Sequence, residues 1–216
     1  MNSDNPESPT SPGELPHPDD VHAWHRLPCD VFDGDGNHSG IIVSGDLHGD
    51  PDVARAQLAE WVVAGTGGIV DCRMEWTDET FVADHFPQVT YVHVGVDDHG
   101  GSQPDEWFDL GVQQSLAVLE RGDRVVIHCH MGINRGPSMA FAVLLALGWP
   151  VTAALDALLD ARPIVGLLYA EDAISWYGRR EGWTPEQVAN AQAELTAWLE
   201  RTGVDPVLVI RRMRGM

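Results

Sequence analysis

Five residues separate Cys129 from Arg135 in the run Val125-Val126-Ile127-His128-Cys129-His130-Met131-Gly132-Ile133-Asn134-Arg135-Gly136-Pro137-Ser138. That spacing lets a loop curl so that the backbone N–H groups from His130 to Arg135 point at one centre. Opening onto a helix N-terminus, such a nest binds an anion. Arg135 adds a planar fork that can hold two oxygens of the same oxyanion. Cys129 then lies at the floor of a positive bowl, an environment that favours the nucleophilic thiolate. A thiolate below a bound phosphate is placed for in-line attack on phosphorus.

The elements around this loop are those that could hold it still. Arg124 to His128 reads as a buried strand, and 136–147 as a nearly all-apolar central helix carrying Met139, Phe141, Val143, Leu144 and Leu145. Upstream, Ile41 to Val43, Gly68 to Cys72 and Thr90 to Val94 read as strands. Between them lie a helix starting at Pro51 behind an Asp50 cap and a short helix over 78–85 behind Thr77. Pro104 opens a helix with Trp107, Leu110, Leu116 and Leu119 on its inner side. Trp24 to Val31 reads as an irregular segment or edge strand. Helices follow the loop over 152–161 and from Tyr169 to Tyr177, and a last one to about Thr202 is opened by the capping box Thr184-Pro185-Glu186-Gln187. Its inner side carries Val188, Ala191, Leu195, Trp198 and Leu199. This alternation predicts an α/β fold, with a central, mostly parallel sheet of four to five strands flanked by helices. Ligands bind beyond the carboxyl ends of such strands, where Cys129 stands.

The order Ile-His-Cys-x-x-Gly-x-x-Arg over 127–135, with Arg162-Pro163-Ile164 after the next helix, resembles the Cys-dependent protein phosphatases of the dual-specificity type. The resemblance spans about residues 40–180, within a single domain expected over 21–203. It implies a phosphotyrosine-phosphatase-like fold and hydrolysis of phosphate monoesters through a cysteinyl-phosphate. The substrate it implies is a phosphorylated protein, on tyrosine, serine or threonine, or a small phosphomonoester. In this family the general acid is an Asp on the loop about thirty residues before the Cys. Matching its Pro-Val-x-Asp pattern to Gly95-Val96-Asp97-Asp98 gives Asp98, with Asp97 as the alternative. The family's hydroxyl residue after the Arg is replaced here by Gly136, and Ser138, two positions on, would point elsewhere on a helix. This implies a slow second step unless another hydroxyl serves. Loops that act on phosphoinositides carry Lys beside the Cys, whereas this one carries His130, Met131, Ile133 and Asn134, so a lipid substrate is disfavoured. Met131 and Ile133 point to a less polar mouth.

Supporting roles fall to four further residues. His128 is expected to hold the loop through backbone hydrogen bonds. Cys72 resembles the position from which lipid-phosphatase relatives form a protective disulfide with the nucleophile; a small buried hydrophobe is the plainer reading. Asp71, with Arg73 beside it, either buttresses the loop or forms a structural ion pair. Asn134 steadies the loop or touches substrate. His128, Cys129 and His130 are not expected to bind metal, because adjacent residues point apart and no second pair of ligands lies at zinc-finger spacing. No metal or organic cofactor is needed.

Composition narrows the classes. A net charge of −20 and a pI near 4.6 disfavour nucleic acid and anionic membranes as partners. No apolar run is long enough to span a bilayer. The three cysteines are too few and too widely spaced for a secreted disulfide framework, which suits a reducing, cytoplasmic location. All 13 basic residues are Arg, a bias of GC-rich bacterial genomes, and the resemblance is to a bacterial, actinobacterial-type member. Asp33 to Ser44 lacks the Gly and Glu of a calcium loop, so Asp33 to Gly40 reads as a solvated turn. Residues 1–20 read as a disordered tail, and 204–216, with Arg211, Arg212 and Arg214, as a tail that folds back or frays. Two rival activities are a sulfurtransferase carrying a persulfide on Cys129, and a phosphate-binding module without turnover, which Gly136 keeps open.

Overall fold

The computed structural model describes residues 15–17 and 20–213. A turn of helix, α1 (Val21–Trp24), leads into a hairpin of β1 (Cys29–Phe32) and β2 (His38–Ser44). The turn between them is closed by the Asp33 carboxylate, which accepts the Asp35 and Asn37 amides at 2.9 and 2.8 Å. The segment with calcium-loop spacing is therefore a hairpin turn.

The chain continues through α2 (Pro51–Val63), β3 (Thr66–Asp71), α3 (Glu79–His85), β4 (Thr90–His93), α4 (Asp105–Leu119) and β5 (Arg124–His128). The strands form one sheet in the order β1-β2-β5-β3-β4, with only β1 antiparallel to its neighbour. β5 is central, and β2, β3, β4 and β5 all run the same way. The loops after these four strands therefore open at one edge, and they carry Asp46, Glu75, Asp98 and Cys129.

The period-two alternation of a strand decides what each residue of β5 faces. Val125 and Ile127 face the larger core, built on α5 (Arg135–Ala146), and Cys129 continues that set. Val126 faces the smaller core under α2 and α3, with Leu58 and Trp61. Helix α5 is buried along almost its whole length because the sheet and three helices cover it, α4, α6 (Val151–Ala161) and α7 (Ala170–Arg180), with α8 (Pro185–Thr202) packed outside α6 and α7. Fully burying each of its large side chains, Phe141 and Leu144 among them, contributes about 1.5–3 kcal/mol.

The expected elements are present, with ends shifted by a few residues. The capping box forms, with the Thr184 hydroxyl accepting the Gln187 amide and the Gln187 side chain accepting the Thr184 amide. Ala191, Leu195 and Trp198 face inward. Three details differ. Leu110 is exposed, because α4 turns Phe108, Val112 and Val118 into the core beside Trp107 instead. Asp78, not Thr77, is the cap residue of α3, although the Thr77 hydroxyl accepts the Glu79 amide at 3.2 Å. The C-terminal segment forms α9 (Pro206–Met213). Most of the N-terminal stretch, the side chain of Arg212 and all of Arg214 lie outside the described residues. No described helix is long and apolar enough to cross a membrane.

Candidate active site

The loop 129–134 leaves the central strand and enters α5 at Arg135. Its shape follows from where its carbonyls go. The His130 carbonyl accepts the Asp46 amide at 3.1 Å, and the Met131 and Gly132 carbonyls accept the Arg162 guanidinium at 3.0 and 2.6 Å. The Ile133 carbonyl accepts the Gly166 amide at 2.7 Å, and that of Asn134 accepts the Ser138 amide at 2.8 Å. In a planar trans peptide the N–H points opposite to the C=O. Five carbonyls tied outward therefore turn the N–H groups of Met131 to Arg135 inward. None of these five donates to another described residue. This is the backbone arrangement that an anion nest requires.

Gly132 makes the curl possible. Its φ is +65°, and a Cβ there would lie 2.7 Å from both the Arg162 guanidinium and the Gly45 amide nitrogen. Gly136 is also confined. A Cβ at 136 would lie 3.1–3.2 Å from the backbone of His128 and Cys129, so a side chain there needs the strand and helix to separate by a few tenths of an ångström. Ser138 lies two positions further on. It is fully buried, and its Oγ accepts the Tyr169 amide at 3.3 Å.

Cys129 is buried, at 2% exposure. Arg135 is held by a residue the sequence reading did not single out. Its Nη1 and Nη2 donate to the two carboxylate oxygens of Glu75 at 2.9 and 2.7 Å, and Nη1 also donates to the Val96 carbonyl at 3.0 Å. Glu75 thus takes the end of the guanidinium. The side edge, Nε–H with the second Nη2–H, is left over, and buried Nε has no hydrogen-bond partner among the described residues. That edge is the one suited to two phosphate oxygens. Burial alone would raise the Glu75 carboxyl, but Arg135 outweighs it and holds it at about 2. The ion pair is therefore intact at neutral pH. Its contribution is lost only as pH falls from the ordinary carboxylate range, ~4.3, towards 2. Glu75→Gln keeps the shape and removes the charge. It is expected to raise KM for a phosphate ester by about 10-fold, corresponding to ~1.4 kcal/mol, with a smaller change in kcat. Steady-state kinetics check this.

The two candidate acids part company. An Asp98 carboxylate oxygen lies 3.7 Å from Arg135 Nε, while the other accepts Asn134 Nδ2 at 2.6 Å and the Tyr169 hydroxyl at 3.0 Å. Burial and the charge of Asp98 push the Tyr169 hydroxyl up, so it remains a donor. Asp97 is exposed, and its carbonyl accepts the Gln103 side chain at 3.1 Å. Asn134 is a strut: its Oδ1 accepts the Leu168 amide at 2.7 Å while Nδ2 holds Asp98.

The remaining candidates have structural surroundings. His128 faces the smaller core beside Trp61. Its Nδ1 has no hydrogen-bond partner among the described residues, and Nε2 lies 3.7 Å from Asp71, so the expected backbone bonds are not made. Asp71 is fully buried and receives Arg73 through Nε and Nη2, at 2.9 and 2.8 Å, and the Tyr91 hydroxyl at 2.5 Å. This ion pair shapes the turn that delivers Glu75. Cys72 is fully buried; burial first, and then the neighbouring Cys129, push its thiol well up. Ile133 packs with Trp24 and Ile164 rather than lining a mouth, and Met131 is half-buried against the same group. His130 is half-exposed, with Nδ1 2.8 Å from Asp46. All three cysteines are free thiols.

No protein-family model matches the sequence, and no curated protein matches it. Solved structures do resemble the fold. Human DUSP28 superposes with a TM-score of 0.55 at 14% identity, over 66% of this chain and 91% of that one. PTPMT1 gives 0.52 at 18% identity, over 71% and 94%. A leucine rich repeat and phosphatase domain containing protein from Entamoeba histolytica gives 0.53 at 11% identity, over 72% and 93%. The nest, the buried cysteine at its floor and the sheet that carries them are thus set in the fold of the tyrosine- and dual-specificity-type phosphatases.

Proposed function

We propose that the chain is a Cys-dependent phosphatase acting on phosphate monoesters, with phosphorylated tyrosine, serine or threonine of proteins as the substrate class. The observation that carries this reading is the edge of Arg135 left over by Glu75, beside five inward N–H groups, with Cys129 below and Asp98 across. The ester phosphate is held by the N–H groups of the loop and by Arg135. The Cys129 sulfur attacks phosphorus, the bond to the ester oxygen breaks, and that oxygen leaves with its electron pair and takes the proton of Asp98. The Asp98 carboxylate next removes a proton from water. The oxygen attacks phosphorus, the S–P bond breaks, and inorganic phosphate and the thiolate are released. Asn134 and Tyr169 position Asp98. A reducing, cytoplasmic setting suits a reaction that needs a free thiolate.

The test is steady-state release of p-nitrophenolate from p-nitrophenyl phosphate, with a metal chelator present. Asp98→Asn is expected to lower kcat by about 10²-fold or more, the range for losing a general acid, and Asp97→Asn by less than a few-fold. Equal losses at both positions would reject Asp98 as the sole acid. Gly136 supports a second reading, a phosphate-binding module without turnover, because no hydroxyl stands after Arg135 to help the sulfur leave. Tight binding of phosphate with no release from the ester would favour it.

A further inference from the structure

At the rim of the loop, on the side away from Asp98, three residues from three segments meet. His25 follows α1, Asp46 follows β2 and His130 follows Cys129. Their ligating atoms all lie within 4.8 Å of one another. Nε2 of His25 is 2.8 Å from Oδ1 of Asp46, and Nδ1 of His130 is 2.8 Å from Oδ2. Asp46 is 3% exposed. His25 Nε2 also lies 2.8 Å from the His130 carbonyl, towards which its hydrogen bond is directed. Oδ1 is therefore enclosed without a directed hydrogen bond of its own. Beside this cluster is a cleft of about 360 Å³, lined by Asp46 and His130 together with Arg26, His48 and Trp76.

We propose that His25, Asp46 and His130 bind a borderline transition-metal cation such as Zn²⁺, with its remaining coordination position open to the cleft. Two imidazoles and a carboxylate are a three-ligand set that zinc accepts and that magnesium and calcium, which prefer oxygen, do not. Imidazole and carboxylate atoms 2.8 Å apart are closer than the roughly 3.3–3.6 Å between tetrahedral ligands on bonds of ~2.0–2.2 Å, so the cluster opens by about half an ångström or slightly more on loading. The metal takes the place of two protons, the one His25 Nε2 shares with the His130 carbonyl and the one His130 Nδ1 shares with Asp46 Oδ2; each moves to the other nitrogen of its own ring or to water, so binding weakens in acid. The nearest opposing charge is Arg26, with Nη2 at 3.5 Å from Oδ1; its side chain is 38% exposed and can turn outward. A metal here clamps the segment after α1 to the anion-binding loop and offers a cation in competition with the nest for the substrate phosphate. Zinc at this site therefore inhibits turnover.

The test separates this site from zinc capture by the thiolate. The full-length Cys129→Ser chain, which lacks the nucleophilic sulfur, is dialysed against buffered Zn²⁺. One equivalent is expected to bind, with affinity at least ~10-fold lower in His25→Ala and in Asp46→Asn on the same background. Circular dichroism and denaturant unfolding identify any variant that fails to fold, and His25→Gln then replaces His25→Ala. With Co²⁺ in place of zinc, visible d–d bands without sulfur charge-transfer absorption are expected. In the chain with Cys129 intact, zinc is expected to inhibit at the concentrations at which it binds, and His25→Ala to shift that midpoint by the same factor. No zinc on Cys129→Ser, or undiminished binding after loss of His25 and Asp46, would overturn the proposal. Because binding is read without turnover, either result leaves the phosphatase reading to its own test.

Discussion

Cys129→Ser is expected to leave the chain folded and to abolish release of phosphate, with a loss on the order of 10⁴-fold or more, the scale for removing a covalent nucleophile. The side chain is 2% exposed and the substitution buries a hydroxyl in place of the thiol, so the cost in stability is at most about 1–3 kcal/mol, the range for a buried polar group without a partner. The nest is made by backbone N–H groups and Arg135, none of which the substitution touches. The variant should therefore bind phosphate or vanadate about as well as the parent. Cys72 does not take over, because burial, the larger cause of its raised thiol, persists without Cys129 and leaves it no opening to solvent. With Cys129 present, rapid mixing with p-nitrophenyl phosphate should give a burst of about one p-nitrophenolate per chain before a slower steady rate. Gly136 puts no hydroxyl directly after Arg135 to assist sulfur expulsion. Full steady turnover by Cys129→Ser would remove the thiolate mechanism. Ester left intact by the chain with Cys129 present, with phosphate still bound, would leave the binding module.

What the sequence shows of this site depends on how local each contact is. Cys129, Gly132 and Arg135 are legible because one short loop and its spacing contain the whole anion nest. Asp98 is legible only through resemblance. The chemistry asks for an acid but says nothing about which of two adjacent carboxylates points inward; Asn134 and Tyr169 decide that, and Tyr169 is 71 residues away in sequence. Glu75 is legible from its position rather than from any motif. It lies four residues beyond the end of β3, the strand that pairs with β5, so a parallel sheet brings it to the same edge as Cys129. The motif alone leads one to expect backbone bonds from His128, but alternation along β5 turns it away from the loop towards Trp61. The same alternation, applied one residue further, places Cys129 correctly. From the loop alone Ile133 reads as part of a mouth; the segment from Trp24 to Cys29, distant in sequence, covers it.

Arg162 is where sequence and structure differ most in meaning, and it carries the largest expected effect on stability. In the sequence it is the first residue of a turn that contributes to a resemblance. In the structure it is fully buried and has no carboxylate partner among the described residues. Its charge is balanced by carbonyl dipoles. It donates to Gly132 at 2.6 Å and Met131 at 3.0 Å in the loop, and to Trp24 at 2.6 Å, His25 at 3.3 Å and Leu27 at 2.8 Å in the segment packed over it. Burial draws its pKa down, opposed by the Cys29 thiol beside it, and a guanidinium remains charged all the same. Arg162→Met fills much of the volume but leaves five enclosed carbonyls without their donor. At about 1–3 kcal/mol for each group left unsatisfied, and with water reaching some of them, a loss of about 3–5 kcal/mol is expected in denaturant unfolding. That is a large part of the ~5–15 kcal/mol available to a domain. The fraction that stays folded should show a raised KM, because the Met131 and Gly132 carbonyls no longer hold the following N–H groups inward. Arg162→Lys is expected to recover only part of either effect, since one ammonium has three donors and cannot span both segments. A stability loss with KM unchanged would mean that the other ties of the loop, from Asp46 and Gly166, suffice to hold the nest.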